Sequence, residues 1–213
     1  MHNILFINPL FCNEGGVVSI TIIITIILFF IKEIIEGVRR FNARKNKLKA
    51  ISFLLSEELE LNHWAFIKLF DACDTASTLF KDYNKPKIST TRNRFGMENI
   101  EFAINEATGT FIGHTLPIFV SKQFLLLSPS LAELDSTKAF ALQRTYDDIY
   151  DLEYYRQSLI LHINNEQPGD PELNEGVKGF IEFIVDKRQY YFNTLENGYK
   201  VLTGKPLENF KLR

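Results

Sequence analysis

Glu60 and His63 form an E-x-x-H pair, the motif that supplies metal ligands in di-iron helix bundles. Such a centre needs two copies of the motif on facing helices. His162 does not provide the second copy, because Leu159 stands where the glutamate is required. The sequence therefore favours an ordinary pair on a helix surface, beside Trp64.

A second group of reactive types is the acidic stretch Asp147, Asp148, Asp151 and Glu153. Paired carboxylates can bind Mg²⁺ or exchange protons, and Asp147 and Asp151 share a helix face at a spacing of four. The stretch has neither a glycine turn nor a partnered histidine. It therefore predicts a solvated face, or a docking face for a basic partner, rather than a metal site.

A third group is basic and lies between residues 81 and 95. Its cations alternate with Tyr83 and Phe95 and could contact a phosphate backbone. The simpler interpretation is a charged surface loop, although the residue types also suit a nucleic-acid or nucleoprotein partner. The candidate contact residues are Lys81, Lys85, Lys87, Arg92 and Arg94.

No catalytic or cofactor motif accompanies these groups. Gly198, Gly204 and Lys205 only superficially resemble a phosphate-binding loop, because Pro206 occupies the position that needs Ser or Thr. The two cysteines of the chain are too few for a zinc site. The sequence therefore predicts a protein without enzymatic activity, cofactor or metal.

One run of residues indicates a location. Residues 15–31 contain no charged side chain, and as a helix these 17 residues extend roughly 26 Å, close to the hydrocarbon thickness of a bilayer. A buried core element and a signal peptide are the alternatives, but residues 1–14 carry no Lys or Arg and no A-x-A cleavage pattern follows. We predict a single transmembrane helix over 15–36. Its membrane-spanning residues include Gly15, Val18, Ile22, Ile26, Phe30 and Ile31.

The charges that flank this run predict its orientation. Positive residues stay on the cytoplasmic side and can contact anionic headgroups. We therefore expect a short extracytoplasmic N-terminus (1–14) and a cytoplasmic α-rich domain (37–213). The predicted membrane-surface cations are Arg39, Arg40, Arg44, Lys45, Lys47 and Lys49.

The cytoplasmic part begins with a predicted amphipathic helix over 44–82. Apolar residues recur there at spacings near three, four and seven, and Pro86 stops the pattern. If this helix is continuous with the apolar run, Gly37 and Asn42 are the expected bend points. Its apolar stripe consists of Leu48, Ile51, Leu55, Leu59, Phe66, Phe70 and Cys73.

The next 30 residues predict a small β insertion at about 87–115. Ile100, Phe102 and Ile104 alternate with other residues, and Thr108–Thr110 can form a turn, which indicates a hairpin or a three-stranded antiparallel patch. A short helix over 97–107 is the competing interpretation. The apolar stretch 118–128, between Pro117 and Pro129, predicts a buried helix, with a second membrane segment as the alternative.

Two further helices complete the prediction. The first runs over 137–163 behind an Asp135 or Ser136 cap, and the second starts at Pro171 and ends before Gly204. The fold class is therefore mainly α: an N-terminal single transmembrane helix followed by a cytoplasmic helical bundle with a small β-hairpin insertion.

This layout resembles small bacterial inner-membrane proteins of prophage and defence loci. The resemblance rests on the N-terminal anchor, the basic juxtamembrane stretch and the segments KLKAISFLLSEELELNHWAFIKL (47–69) and TYDDIYDLEYYRQSL (145–159). Some such proteins resemble the membrane effectors of retrons, which a reverse transcriptase–nucleic acid complex holds inactive until release. Those effectors are described with two membrane helices, whereas this sequence predicts one.

The resemblance implies a toxin-like effector of an anti-phage system, which disrupts the inner membrane when a cytoplasmic nucleoprotein inhibitor releases it. The alternative is a membrane-tethered adaptor that localises a cytoplasmic partner without activity of its own. The expected partners are the lipid bilayer, a reverse transcriptase–nucleic acid complex or another cytoplasmic protein, and further copies of the chain.

Overall fold

The computed structural model describes residues 14–82, 87–105, 110–165 and 171–207. These residues form five helices and one three-stranded sheet. In chain order the elements are α1 (Glu14–Asp82), β1 (Ile88–Arg92), β2 (Glu98–Asn105), β3 (Thr110–Leu116), α2 (Lys122–Leu134), α3 (Ser136–Asn165), α4 (Pro171–Asp186) and α5 (Arg188–Thr203). The mainly α class with a small β insertion is confirmed.

The chain divides into two units, of which the first ends at Lys47 and the second begins at Leu48. We call residues 14–47 the N-terminal unit and residues 48–207 the C-terminal unit. α1 contributes to both and is helical through Gly37 and Asn42, the expected bend points. From Leu48 onward the predicted apolar stripe packs into or against the core of the C-terminal unit.

The apolar run near the N-terminus is helical, as predicted. Within the described residues, however, none of the helices has both the length and the hydropathy that a membrane crossing requires.

The β insertion is a three-stranded antiparallel sheet with the order β1-β2-β3. Phe102 pairs with Ile88 on one side and with Ile112 on the other, which places these three side chains on the same face. Gly96 closes the turn between β1 and β2 with a φ of 77°, and the Asn93 side chain accepts hydrogen bonds from the backbone N–H groups of Phe95 and Met97. The competing helix over 97–107 is wrong. Of the predicted turn at 108–110, residues 108 and 109 lie outside the described residues, and Thr110 begins β3.

The predicted helix over 118–128 is displaced. α2 begins at Lys122 and continues through Pro129 to Leu134, and only Phe124 and Leu131 are buried along it. Because proline lacks an N–H, position 129 leaves one helical carbonyl without its usual donor. The expectation of a buried helix is therefore correct for one face only.

α3 confirms the predicted helix over 137–163, with Leu142, Tyr146, Ile149 and Leu152 in the core. Asp135 is its cap, because the side chain accepts a hydrogen bond from the backbone N–H of Lys138 at 3.0 Å. The backbone N–H of Asp135 donates to the Leu131 carbonyl at 2.7 Å and so also ends α2. The connection between these helices is therefore a single residue.

The last predicted helix is two helices. α4 starts at Pro171 as expected, but the chain departs from α-helical geometry at Lys187, whose N–H donates to the Ile184 carbonyl three residues earlier. No glycine or proline marks this point in the sequence. α5 then ends at Thr203, and Gly204 caps it with a φ of 73°, as predicted for a C-terminal glycine.

Candidate functional site

The N-terminal unit exposes large apolar side chains all round its helix. Ile22 is 53 % exposed and Phe30 is 59 % exposed, and the residues between them have similar values. Of the predicted membrane-spanning residues, Ile26 and Ile31 are equally open, whereas the side chains of Gly15 and Val18 lie outside the described part. A helix that is apolar on every face favours an apolar environment rather than water.

The predicted membrane-surface cations follow directly. All six are exposed on α1 between residues 39 and 49. Glu36 lies near the start of this stretch and pairs with Arg40 at 3.0 Å and with Lys32 at 3.8 Å. The apolar surface therefore changes to a positively charged one within two helical turns.

Glu60 and His63 do not form a metal pair. Glu60 accepts a hydrogen bond from the Tyr199 hydroxyl at 2.8 Å. The His63 ring is buried, with Phe66 and Phe192 at centroid distances of 6.4 and 5.9 Å. Burial lowers the pKa of His63. The expected surface location of this pair is therefore wrong for His63, which is a core residue.

The structure separates the three aspartates of the acidic stretch. Asp147 and Asp151 are exposed, and Asp147 accepts a hydrogen bond from Gln143. Asp148 is buried and accepts one from the Tyr190 hydroxyl at 3.2 Å. Asp148 is therefore not part of a solvated docking face, and within the described ranges no three acidic, histidine or cysteine side chains are grouped as metal ligands.

The predicted basic group is spread over three places. Lys81 lies in the last turn of α1, Lys87 precedes β1, and Arg94 lies in the turn after β1; Lys85 is outside the described residues. Arg92 is ion-paired with Glu98 at 2.6 Å. Arg94 stacks on Phe95 at 4.7 Å, and Phe95 is 71 % exposed. Among the described residues of this group, the arrangement suited to a phosphate and a base is the Arg94–Phe95 tip.

A buried carboxylate that the sequence did not indicate holds the start of α2. Glu58 on α1 accepts hydrogen bonds from the backbone N–H groups of Gln123 at 2.6 Å and Phe124 at 3.0 Å. The Tyr146 hydroxyl donates a third at 2.8 Å, and its ring stacks on Phe124. Burial and the adjacent carboxylate raise the pKa of Tyr146, so the phenol remains a donor. The positive end of the α2 dipole is therefore neutralised from within the protein.

Two more side chains hold the preceding segment. The Asn62 amide makes two 2.7 Å hydrogen bonds with the backbone N–H and carbonyl of Val120. Glu153 on α3 accepts from the Phe119 N–H at 2.9 Å and pairs with Arg156 at 2.7 Å. We call residues 119–124 the clamped segment. The side chains that bind this segment lie 34 to 66 residues away from it in the sequence. No local sequence pattern therefore indicated these hydrogen bonds.

An open groove of about 630 Å³ lies along the clamped segment. Phe119, Val120, Leu125 and Leu126 line it together with Ser121 and Lys122. Leu125 and Leu126 are strongly exposed, as is Ile118 just before the segment. This is a second uncovered apolar surface, and it belongs to the C-terminal unit.

The buried cysteine of the core has no sign of reactivity. Cys73 is fully buried, and burial, followed by the nearby Asp74 charge, raises the pKa of its thiol to about 12. A thiol is nucleophilic only as the thiolate, so Cys73 is a packing residue.

Comparisons of the chain with protein-family models, with curated proteins and with solved structures find no match.

Proposed function

We propose that this protein is a membrane-anchored effector whose N-terminal helix inserts into the inner membrane of a bacterial cell. The observation that carries the proposal is the helix from Ile22 to Val38, which exposes its large apolar side chains on every face. The sequence from Gly15 to Thr21 is also uncharged. Transfer of such a surface from water to lipid is favourable in proportion to its area.

The charge distribution supports an orientation with the N-terminus outside. The exposed cations between Arg39 and Lys49 lie on the C-terminal side of the apolar helix. Anionic headgroups attract such cations at about 1 kcal/mol each, and cytoplasmic flanks are enriched in them. In this proposal the C-terminal unit faces the cytoplasm.

The proposed activity is disruption of the membrane by the inserted helix when a cytoplasmic inhibitor releases the protein. The Arg94–Phe95 tip is the part of the C-terminal unit best suited to a nucleic-acid component of such an inhibitor, because it combines a cation with an exposed aromatic ring. Depolarisation, rather than a chemical reaction, is then the effect on the cell.

Inducible expression with a membrane-potential dye tests this proposal. The wild-type chain is expected to depolarise cells, and Ile26→Asp with Ile27→Asp to abolish the effect, since each charge costs about 3 kcal/mol at the centre of a membrane helix. Leu161→Asp is the matched control, because Leu161 is 58 % exposed in the C-terminal unit. Unchanged potential with the wild-type chain under every inducer level and phage challenge would contradict the effector proposal.

A second candidate is a membrane-tethered adaptor, and the apolar groove along the clamped segment favours it. A groove with exposed Leu125 and Leu126 suits a protein ligand rather than water. Replacement of residues 15–31 by an unrelated membrane anchor separates the candidates. An adaptor retains its function after this replacement, whereas an effector that acts through the helix loses it.

A further inference from the structure

β3 is an edge strand with an unusual composition. It forms one edge of the sheet, and among the described residues no backbone hydrogen bond from any element other than β2 reaches it. Its sequence TFIGHTL contains no Lys, Arg, Asp, Glu or Pro. Edge strands usually carry such residues because they prevent pairing with another chain.

The hydrogen-bonding pattern shows which backbone groups of β3 point away from the sheet. The N–H of Ala103 donates to the Lys87 carbonyl, so odd-numbered residues of β2 face β1 and even-numbered residues face β3. Ile100 and Phe102 pair with His114 and Ile112, whose backbone groups therefore point toward β2. The N–H and carbonyl groups of Phe111, Gly113 and Thr115 consequently point outward from the open edge.

Gly113 is the middle one of the three residues whose backbone groups point outward. No contact with the described part of the chain requires a glycine at this position. A Cβ at this position would lie 3.9 Å from its nearest neighbour, which is ordinary contact, and its φ is not positive. Glycine within a strand costs about 1 kcal/mol relative to residues with a side chain and often marks a close approach of another backbone. No described part of this chain makes that approach.

We propose that β3 pairs antiparallel with β3 of a second copy of this chain, about a two-fold axis at Gly113. The outward groups of Gly113 then bond to those of the partner's Gly113. Phe111, which is 55 % exposed, lies across from Thr115 of the partner subunit. Aromatic and β-branched residues form favourable cross-strand pairs, and an aromatic ring can cover a neighbouring glycine.

Charge explains why a second copy fits this edge. A two-fold axis at Gly113 places the two copies of this position side by side, so a charge there would be opposed by a like charge. β3 has no charged residue, whereas the opposite edge strand β1 ends in Arg92 and follows Lys87. β1 is also held against α3 by a hydrogen bond from Thr90 to Asn164. The open, uncharged edge is therefore β3.

Disulfide trapping in the detergent-solubilised full chain tests this pairing. The two-fold arrangement places the Cα atoms at position 113 about 5.5 Å apart, within reach of a disulfide. In a Cys12→Ser background, in which buried Cys73 remains, Gly113→Cys is expected to form a covalent dimer at least about tenfold faster than Ser89→Cys. Ser89 is the matched control because it is exposed on the opposite edge. Equal rates for the two variants would overturn the proposal.

Mixed trapping tests the register and the glycine. Chains with Phe111→Cys mixed with chains with Thr115→Cys are expected to cross-link to each other. Addition of Gly113→Lys to both chains is expected to abolish this product, since it opposes two charges at the axis, whereas Gly113→Ser is expected to keep most of it. A product that survives Gly113→Lys, or that never forms, would refute the two-fold pairing. Cross-linking does not depend on membrane insertion. The pairing can therefore be refuted while the proposed function stands, and the proposed function can be refuted while the pairing stands.

Discussion

The two halves of α1 contain the same apolar residues in opposite surroundings. Ile26 in the N-terminal unit is 49 % exposed, whereas Ile51 in the C-terminal unit is 4 % exposed. Both positions are helical, so backbone conformation does not distinguish them. The difference lies in the sequence pattern, which is apolar on all faces before Lys32 and on one face after Leu48. Pattern, rather than apolar content, therefore separates a helix with exposed apolar side chains from a helix that packs into a protein core.

The largest expected effect within this comparison comes from Glu58 in the C-terminal unit. Glu58→Ala leaves two backbone N–H groups and the Tyr146 hydroxyl without their acceptor in the interior. We expect a loss of roughly 3 to 5 kcal/mol in the free energy of unfolding, since each buried unpaired group costs about 1 to 3 kcal/mol. Urea unfolding of the detergent-solubilised chain measures it. Asp147→Ala, at an exposed position of α3, is the control, and equal stabilities would contradict the role of Glu58.

A matched pair of substitutions addresses the two halves directly. Leu59→Ala creates a cavity in a fully buried position and is expected to cost about 3 kcal/mol in the same unfolding experiment. Ile27→Ala, at a position that is 52 % exposed, is expected to change the free energy of unfolding by less than about 0.5 kcal/mol. If Ile27→Ala were as destabilising as Leu59→Ala, the contrast between the halves would be wrong.

Gly198 tests the tightness of the C-terminal core. A Cβ there would lie 2.6 Å from Oγ1 and 2.7 Å from Cγ2 of Thr145, where α5 approaches α3. We expect Gly198→Ala to destabilise the fold by about 2 kcal/mol through overpacking. Thr145→Ala in the same chain should recover part of this loss, because both contacting atoms are removed. Gly37→Ala is the control on α1, where a Cβ meets nothing within 4 Å.

The smallest expected effect is a dependence on pH. Burial lowers the pKa of His63 below its ordinary value of 6.5, so the folded chain binds this proton less readily than the unfolded chain. The contribution of His63 to the free energy of unfolding is therefore fully present above pH 6.5. It is lost as the pH drops below that value, by at most about 1.4 kcal/mol per pH unit. His63→Gln should reduce that slope, which urea unfolding at pH 7 and pH 5 measures. His162→Gln, at an exposed position, should not reduce it.

Most of the element pattern was predictable because it depends on local periodicity. The stripe from Leu48 to Cys73, the alternation around Phe102 and the Asp135 cap are signals within one element. The errors occurred where distant residues decide. α2 starts late because Glu58 and Asn62 bind the segment before and at its first turn. The break at Lys187 has no residue type that marks it.

The candidate site was predictable only in part for the same reason. The exposed apolar helix and its cations follow from the local order of residues in the sequence. The three aspartates look equivalent in sequence, but the packing of α5 buries Asp148 under Tyr190 and leaves Asp147 exposed. The open edge at Gly113 required the strand order, which one sequence does not supply.

The clamped segment has a consequence for solvent exchange. Backbone amides outside regular structure and in the first turn of a helix normally exchange with water quickly, because they lack intrahelical acceptors. Here the amides of Phe119, Val120, Gln123 and Phe124 all donate to side chains from α1 or α3. Each of them can exchange only after the segment separates from its side-chain partner on α1 or α3. In hydrogen–deuterium exchange, the amides of the clamped segment should therefore exchange as slowly as those of the core, at the rate of the global opening of the domain.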